Sequence, residues 1–329
     1  MDGFDHGDDH SNKGYSYFVC SYSSNYSRFG SGRGIQLGSS INNRITKDIG
    51  QNLSTIYLGI AFLKAGTGTP IYNSVYPTIV FHDESFVSQV KIYMNPSYGF
   101  SVYNGNQTLL GSTNNNIIID NKWYFLEIKV TVSDTVGEVT FRLNESQVLN
   151  LTSKDTKIGT DYIRYVSFCP FYLNGNIWHD DFYIDSSQFH GDCEVKTFYP
   201  DADGNSSDFT RSTGANDYEC VDEVISNGDT DYIYSDTLNH KSLFGITTGV
   251  LGTVKGIQVN NNVRIDQAGT RKITPLIRSN STNYSGTETD NISANYIFYT
   301  EVWETDPDDS NAWTQTKLEA AEFGLEITT

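Results

Sequence analysis

The sequence predicts an all-β protein of two domains, and three observations predict it. The first is alternation. Tyr124, Leu126, Ile128, Val130 and Val132 fall on one face of an extended chain, and Glu127, Lys129, Thr131 and Ser133 on the other, which marks a half-buried antiparallel strand. After a polar turn at residues 133–137, Val139, Phe141 and Leu143 point inward, and Glu138, Thr140, Arg142 and Asn144 outward. This is a hairpin with one dry and one wet face, and it needs further strands across its apolar side. The second is composition: aromatics make up 13%, with 22 Tyr and 18 Phe but 2 Met, a balance that favours strands and turns over helices. The third is punctuation, with turn signals roughly every eight to twelve residues, the spacing of a two-sheet sandwich.

The elements follow in order. Residues 1–53 read as irregular, with short strands near 17–22 and 34–37. Residues 54–64 (STIYLGIAFLK) form a nearly continuous apolar run and predict an inner strand, closed by the loop 65–70 (AGTGTP). Strands are expected at 78–83 and 89–94, then at 100–103 and 107–110 around Asn104-Gly105, a type I′ turn signal. A polar break at 114–116 precedes the apolar residues 117–119, and strands at 162–168 and 177–184 follow the hairpin.

A chain of 329 residues exceeds one ordinary core, since domains run to about 100–200 residues. The boundary is placed at 190/191, giving domains 1–190 and 191–329. In the second, strands are expected at 192–200, 254–260 and 271–278, with a turn at Ala268-Gly269, and a buried strand at 296–303. Thr305-Asp306-Pro307 predicts a turn. Residues 314–323 predict a short helix, capped by Thr314 and stopped by Gly324, and 325–328 a last strand.

Charge and motifs exclude several classes. Lys and Arg number 22 against 40 Asp and Glu, a net −18. Without clustered cations, neither nucleic acid nor anionic membrane is an expected partner. Residues 1–15 are acidic and polar, unlike a signal peptide, and the longest apolar run, 56–63, falls short of the ~20 residues of a membrane-spanning helix. Cys20, Cys169, Cys193 and Cys220 have no CxxC spacing and read as reduced thiols, with a Cys193–Cys220 pairing the alternative. A glucanase strand would carry Glu-x-Asp-x-x-Glu, because two carboxylates must flank the glycosidic bond. No such pair occurs, nor a GxSxG, an HExxH or a phosphate loop, so the expectation is a non-enzyme.

For a metal, Asp201, Asp203, Asn205 and Asp208 around Gly204 imitate the start of a calcium loop but lack its closing Glu. An Asx-rich turn is the other reading. No cofactor is expected beyond this candidate calcium ion. Asp181, Tyr183, Asp185 and His190 share the pattern of the metal strand of legume-type lectins, with His179 where an acid belongs; solvated carboxylates at a strand end are the plainer alternative. Exposed Tyr and Trp are candidates for stacking on sugar rings, although most alternate inward. The Asn-x-Ser/Thr sequons, Asn144, Asn150, Asn280, Asn283 and Asn291 among them, are read as chance matches.

The Trp-led strand 123–132, its return 138–143 and the acid-paired strand His179-Asp180-Asp181-Phe182-Tyr183-Ile184-Asp185 together resemble a concanavalin A-like, laminin-G-type jelly roll over about residues 1–187. Asp2-Gly3-Phe4-Asp5-His6 and Arg28-Phe29-Gly30 resemble the opening of tailed-bacteriophage virion proteins with this jelly roll, departing from them at Gly7-Asp8-Asp9-His10. The Tyr-Pro-Asp-Ala-Asp-Gly segment at 199–204, Val221-Asp222-Glu223, Ala268-Gly269-Thr270-Arg271, Trp303-Glu304-Thr305-Asp306-Pro307 and Trp313 resemble their C-terminal β-domain. The resemblance implies a jelly-roll sandwich followed by a second β-sandwich-like domain with one short C-terminal helix. It also implies a virion protein, either a capsid-decorating or tail-attached appendage, or a receptor- or glycan-binding tail adhesin. Its expected partners are other virion proteins, copies of itself and host surface glycan.

Overall fold

The computed structural model describes residues 1–4, 13–17, 20–30, 32–37, 44–66, 77–169, 176–249, 251–267 and 269–328. Asp5-His6, the 7–10 departure, most of the 65–70 loop and Ala268 of the expected turn lie outside them. The chain forms two compact units, Met1–Lys196 and Thr197–Thr329.

Unit 1 carries β1 (Tyr15–Tyr17), β2 (Cys20–Ser23), β3 (Gly34–Leu37), β4 (Ile45–Leu53), β5 (Thr55–Ala65), β6 (Ile79–His82) and β7 (Ser88–Met94). These continue into β8 (Phe100–Asn104), β9 (Leu109–Ser112), β10 (Trp123–Thr131), β11 (Gly137–Leu143), β12 (Ser146–Lys154), β13 (Ile163–Phe168) and β14 (Asn176–Asp185). They make two seven-stranded sheets, ordered β1-β4-β13-β6-β7-β8-β9 and β12-β11-β10-β5-β14-β3-β2.

The core lies between them and follows from alternation. Ile56, Leu58, Ile60 and Phe62 of β5 and Leu126, Ile128 and Val130 of β10 join Phe81 of β6, Ile92 of β7, Val102 of β8 and Val166 of β13, all buried. Phe100 of the first sheet meets Phe62 and Phe141 of the second edge-on, with centroids 6.1 and 5.8 Å apart, the geometry that aromatic quadrupoles favour.

Several local expectations are corrected. Residues 45–53, read as irregular, form β4, and the hairpin gains a third strand, β12. Asn104-Gly105 does not make a two-residue turn. Asn104 ends β8, and the loop closes with Gln107 at φ 65° after the Gln107 N–H has bonded the Asn104 carbonyl at 3.0 Å, the pattern of a three-residue hairpin loop. Two consecutive residues with positive φ instead join β11 to β12 at Asn144 (46°) and Glu145 (65°). Residues 192–200 form no strand.

Unit 2 carries β15 (Ala202–Ser207), β16 (Thr210–Arg211), β17 (Ile233–Tyr234), β18 (Lys241–Gly245), β19 (Ile257–Val263) and β20 (Ile273–Ser279). β21 (Thr282–Ser285), β22 (Ile297–Trp303), α1 (Gln315–Ala320) and β23 (Glu322–Ile327) complete it. The main sheet runs β15-β18-β23-β20-β21, with β16-β17 and β19-β22 as two-stranded ribbons. Thr314 caps α1 by accepting the Lys317 N–H at 3.3 Å. The helix stops at Ala321 rather than at Gly324, which lies within β23. Strand β22, expected to be buried, is largely half-exposed, because among the described residues it pairs with β19 alone, in a two-stranded ribbon. Trp313 is buried beside Ile277 and Ala321 and donates from Nε1 to the Trp303 carbonyl at 3.1 Å.

Candidate functional site

Two regions of unit 1 concentrate polar and aromatic chemistry. The first lies on the outer face of the second sheet. On β10, Glu127 sits between the inward residues Leu126 and Ile128 and so points outward, where alternation predicted solvent. It is instead fully buried. Its Oε1 accepts the Tyr183 hydroxyl at 2.6 Å and the Gly191 N–H at 2.7 Å, and its Oε2 pairs with Arg142 at 3.0 Å. Tyr183 reaches it only because residue 59 on β5 is glycine. A Cβ there would lie 2.0 Å from the Tyr183 ring.

The cover is the stretch after β14. Phe189 packs edge-on against Tyr57 at 4.9 Å under the Arg142 guanidinium. The His190 N–H bonds the Tyr183 hydroxyl at 3.0 Å, and its Nε2 lies 2.8 Å from Asp185. Arg28 completes the cover. Its guanidinium contacts Asp181 at 3.3 Å, the Cys193 carbonyl at 3.2 Å and Asp192, and its N–H donates to Asp180 at 2.9 Å. The Val195 N–H closes on Asp181 at 2.8 Å. Burial pushes the Asp181 carboxyl up to about 6, against the pull of the Val195 N–H and Arg28.

Asp181, Tyr183, Asp185 and His190 are therefore brought together, but as a polar clasp holding residues 187–196. They are neither solvated carboxylates at a strand end nor a ligand set open to an ion. Glu127, their centre, escaped the alternation argument. The signal that could have found it is the aromatic pair Trp123 and Phe125 on the same outward row, since a wet face rarely carries two such rings.

The second region is the β6–β7 turn. Its anchor is Asp83, which is 1% exposed. The Asp83 carboxylate accepts the N–H groups of Ser85 and Val87 at 2.9 Å each, Gln89 Nε2 at 3.4 Å, and the N–H and hydroxyl of Thr160 at 3.3 Å each. Gln89, also buried, takes the Ile158 N–H at 2.7 Å. The 158–160 loop comes this close because residue 159 has no side chain; a Cβ there would stand 2.5 Å from the Asp83 carboxylate.

The tethered turn holds Phe86 at φ 59°, a left-handed conformation that bulky residues avoid and that costs of order 1–3 kcal/mol. The ring does not enter the core. It stacks on Tyr165, centroids 4.3 Å apart and planes 9° from parallel, and remains 47% exposed. Arg164, its guanidinium 6.0 Å from the Tyr165 ring, forms a bidentate pair with Asp48 at 2.6 and 3.1 Å, and Tyr162 hydrogen-bonds the Glu84 carboxylate, which raises its phenol above the ordinary value. Beneath lies His82, between Ser167 (3.1 Å) and Ser88 (3.4 Å). Burial lowers its pKa to about 4, so it is a neutral packing group, and Ser167, with 1% exposure, is closed to substrate. The arrangement presents one flat aromatic face with hydrogen-bonding groups at its rim.

The four calcium candidates lie elsewhere and do not converge. Asp203 and Asn205 belong to β15, where an extended backbone sets alternate residues about 7 Å apart. Asp201 accepts the Thr247 N–H at 2.9 Å, Asp203 the Tyr218 N–H at 2.8 Å and Asp208 the Lys241 N–H at 3.1 Å. Among the described residues no group of three or more His, Cys, Asp or Glu is arranged to hold a metal ion. All four cysteines are free thiols.

No protein-family profile matches the chain, and no curated protein matches it. Solved structures do. An endo-β-1,4-glucuronan lyase from the fungus Trichoderma reesei is 11% identical, over 51% of this chain and 87% of its own, with a TM-score of 0.40. The carbohydrate-binding module CBM66 from Bacillus subtilis is 9% identical, over 53% and 96%, with a TM-score of 0.31. The exoplasmic/lumenal domain of VIP36, in a Ca2+/Man-bound form, is 12% identical, over 55% and 86%, with a TM-score of 0.35.

These likenesses concern the sandwich fold and give the phage resemblance no support. They also correct the expectation of a non-enzyme. An endo-β-1,4-glucuronan lyase is among the similar structures, whereas that expectation rested only on motifs the sequence lacks. Among its described residues the chain is all-β, with stacked antiparallel sheets in unit 1 and one short α-helix in unit 2.

Proposed function

We propose that unit 1 recognises glycans at the Phe86 face. The supporting observation is the tethered stack: an exposed Phe86 ring backed by Tyr165 and fixed by Asp83 in a conformation its own backbone disfavours. A sugar ring offers a flat C–H face to such a surface, and its hydroxyls need directional partners at the edge. Tyr162, Glu84, Thr160 and the Arg164–Asp48 pair supply them. Pre-organisation lowers the ordering cost of binding, and exposure sets Phe86 apart, because Phe4 holds the same φ of 58° while buried in the core. The experiment is a glycan array with the full chain and Phe86→Ala. Hits weakened tenfold or more by the substitution are expected; hits indifferent to it would remove the site.

We further propose that this recognition takes place on a tailed-phage particle, as a surface appendage or tail adhesin docked to other virion proteins. Its support is the sequence resemblance, whose motifs have structural work in this fold. Asp2 bridges to Phe182 through both backbone bonds, at 2.7 and 2.8 Å, and Phe4 is buried in the core. Antibody labelling of intact particles tests it, and absence of the protein from purified virions would end it.

A further inference from the structure

Asn-Gly pairs stand at 104, 174 and 227, and the fold decides what each can do. In such a pair the glycine N can attack the asparagine Cγ, expel ammonia and close a succinimide, which water opens to aspartate or isoaspartate. The attacking N must be free of hydrogen bonds and must come within about 3–3.5 Å of the carbon. Asn174 lies outside the described residues. Asn104 is locked. It is 4% exposed, its Oδ1 accepts the Thr108 N–H at 3.0 Å, and its Nδ2 reaches the Asp155 carbonyl at 3.4 Å. The Gly105 N–H is held by the Gln89 carbonyl at 2.8 Å, and a Cβ at 105 would stand 1.8 Å from the Ser88 carbonyl.

Asn227 differs on each count. It is exposed on the loop before β17, and Gly228, at φ 66°, has nothing within 4 Å of where its Cβ would lie. Among the described residues the Gly228 N–H has no hydrogen-bond partner. The leaving group is served as well. Asn227 Nδ2 donates to Glu223 Oε1 at 2.9 Å and to Asp231 Oδ1. Burial and the contact with Asp231, with Asp222 adding to the same field, hold the Glu223 carboxyl up at about 7. At neutral pH a proton therefore stands beside the nitrogen that departs.

We infer that Asn227 is a self-modifying position, which converts to aspartate and isoaspartate in the folded chain while Asn104 stays intact. The Gly228 N–Cγ bond forms as Cγ–Nδ2 breaks. Glu223 gives ammonia its third proton, the Gly228 N–H proton goes to solvent and restores the carboxyl, and one water opens the ring. The product sets a third carboxylate where an amide had donated to two, and like charges at that range repel. Isoaspartate also adds a backbone methylene between two anchors of the loop: Ser226 Oγ, which takes Asn262 Nδ2 at 3.0 Å, and Asp229, paired with Arg264 at 2.9 Å. The modified loop should loosen from β19.

The test is to age the full chain in neutral buffer at physiological temperature, folded and, in parallel, unfolded in urea. Peptide mapping with isoaspartate-specific methylation then follows each site. In the folded chain Asn227 should convert tenfold or more faster than Asn104, and in urea the two rates should converge to within a few-fold. Glu223→Gln, with Tm measured to confirm the fold, should slow conversion at 227 severalfold. The aged chain and Asn227→Asp should share new protease cuts between 221 and 232 that the fresh chain resists. An Asn227 that stays unmodified in the folded chain, or an Asn104 that keeps pace with it there, would overturn the inference. A rate at 227 unmoved by Glu223→Gln would strike the carboxyl from the mechanism.

Discussion

On the second sheet of unit 1, charge is taken inward. Glu127, Arg142, Arg28 and Asp181 are drawn under residues 187–196 and paired with one another or with backbone N–H groups. On the first sheet the reverse holds. Asp83 is buried only to fix a turn, and the turn carries an apolar ring outward. The clasp uses polar groups where a core would use apolar ones; the Phe86 face uses an apolar group where a surface would use polar ones. Both depart from alternation, and for opposite reasons. A buried ion pair is weak evidence of net stability, but it is costly to break, whereas an exposed ring under backbone strain costs little to remove. The pair of regions thus separates holding the fold from presenting a ligand face.

The largest expected effect tests the clasp. Glu127→Ala leaves the Tyr183 hydroxyl and the Gly191 N–H without their acceptor and Arg142 without its counter-charge, and should destabilise unit 1 by about 3–5 kcal/mol. Urea denaturation followed by tryptophan fluorescence measures it, and limited proteolysis should find new cuts between 187 and 196. A variant that kept its stability yet lost glycan binding would reverse the roles assigned to the two regions.

Acid should act next, through groups in or under both sheets. Burial holds His82 and His179 at about 4, below the usual 6.5. Between those values the unfolded chain binds protons that the folded one refuses, so stability falls as pH drops through that window, by roughly 3 kcal/mol per histidine. Asp181 runs the other way. Its folded pKa of about 6 lies above the usual 3.8, so the folded state holds a proton the unfolded state has released, and acidification stabilises it there. Two groups against one leave a net loss. His179 is the sharper probe, since it is 3% exposed and neither ring nitrogen has a hydrogen-bond partner. His179→Leu should raise Tm at pH 5 by several degrees and flatten the profile; an unchanged slope between pH 6.5 and 4 would mean the ring is solvated.

What the sequence made legible divides along the same line. The inner faces of β10 and β11 were readable because apolar inward residues alternate with Glu127, Lys129, Thr131, Glu138, Thr140 and Arg142, and β5 was readable as a nearly continuous apolar run. The clasp was not. Glu127 is polar in the outward row as alternation requires, and only the tertiary placement of residues 187–196 turns that outward position into an interior. Asp83 and Phe86 read as ordinary turn residues, because a left-handed phenylalanine leaves no mark on periodicity. Strand β4 was missed for a related reason. Its run ITKDIGQNL is polar at most positions, and its partners β1 and β13 are far away in sequence.

Binding comes third in size. Phe86→Ala should weaken glycan binding tenfold or more, about 1.4 kcal/mol or above, with stability changed by less than Glu127→Ala changes it. A loss of stability comparable to that of Glu127→Ala would make Phe86 a packing residue and dissolve the contrast between the two sheets.

The smallest effect is the most diagnostic. Glycine adopts φ near 59° without steric cost, so Phe86→Gly relieves the backbone strain while forfeiting a ring stack worth about 0.5–1.5 kcal/mol. It also adds freedom to the unfolded chain, worth about 0.4–1 kcal/mol against folding. These contributions nearly cancel, and stability is expected to stay within about 1 kcal/mol of the native chain even as binding is lost. Alanine, with a Cβ and no ring, keeps the strain and loses the stack, so it should be the less stable of the two variants. That order, glycine at or above alanine in Tm with both silent on glycans, is what a strained presenting residue predicts. If alanine were the more stable, the left-handed turn would be unstrained, and Asp83 would be holding Phe86 in place for packing and not for a ligand.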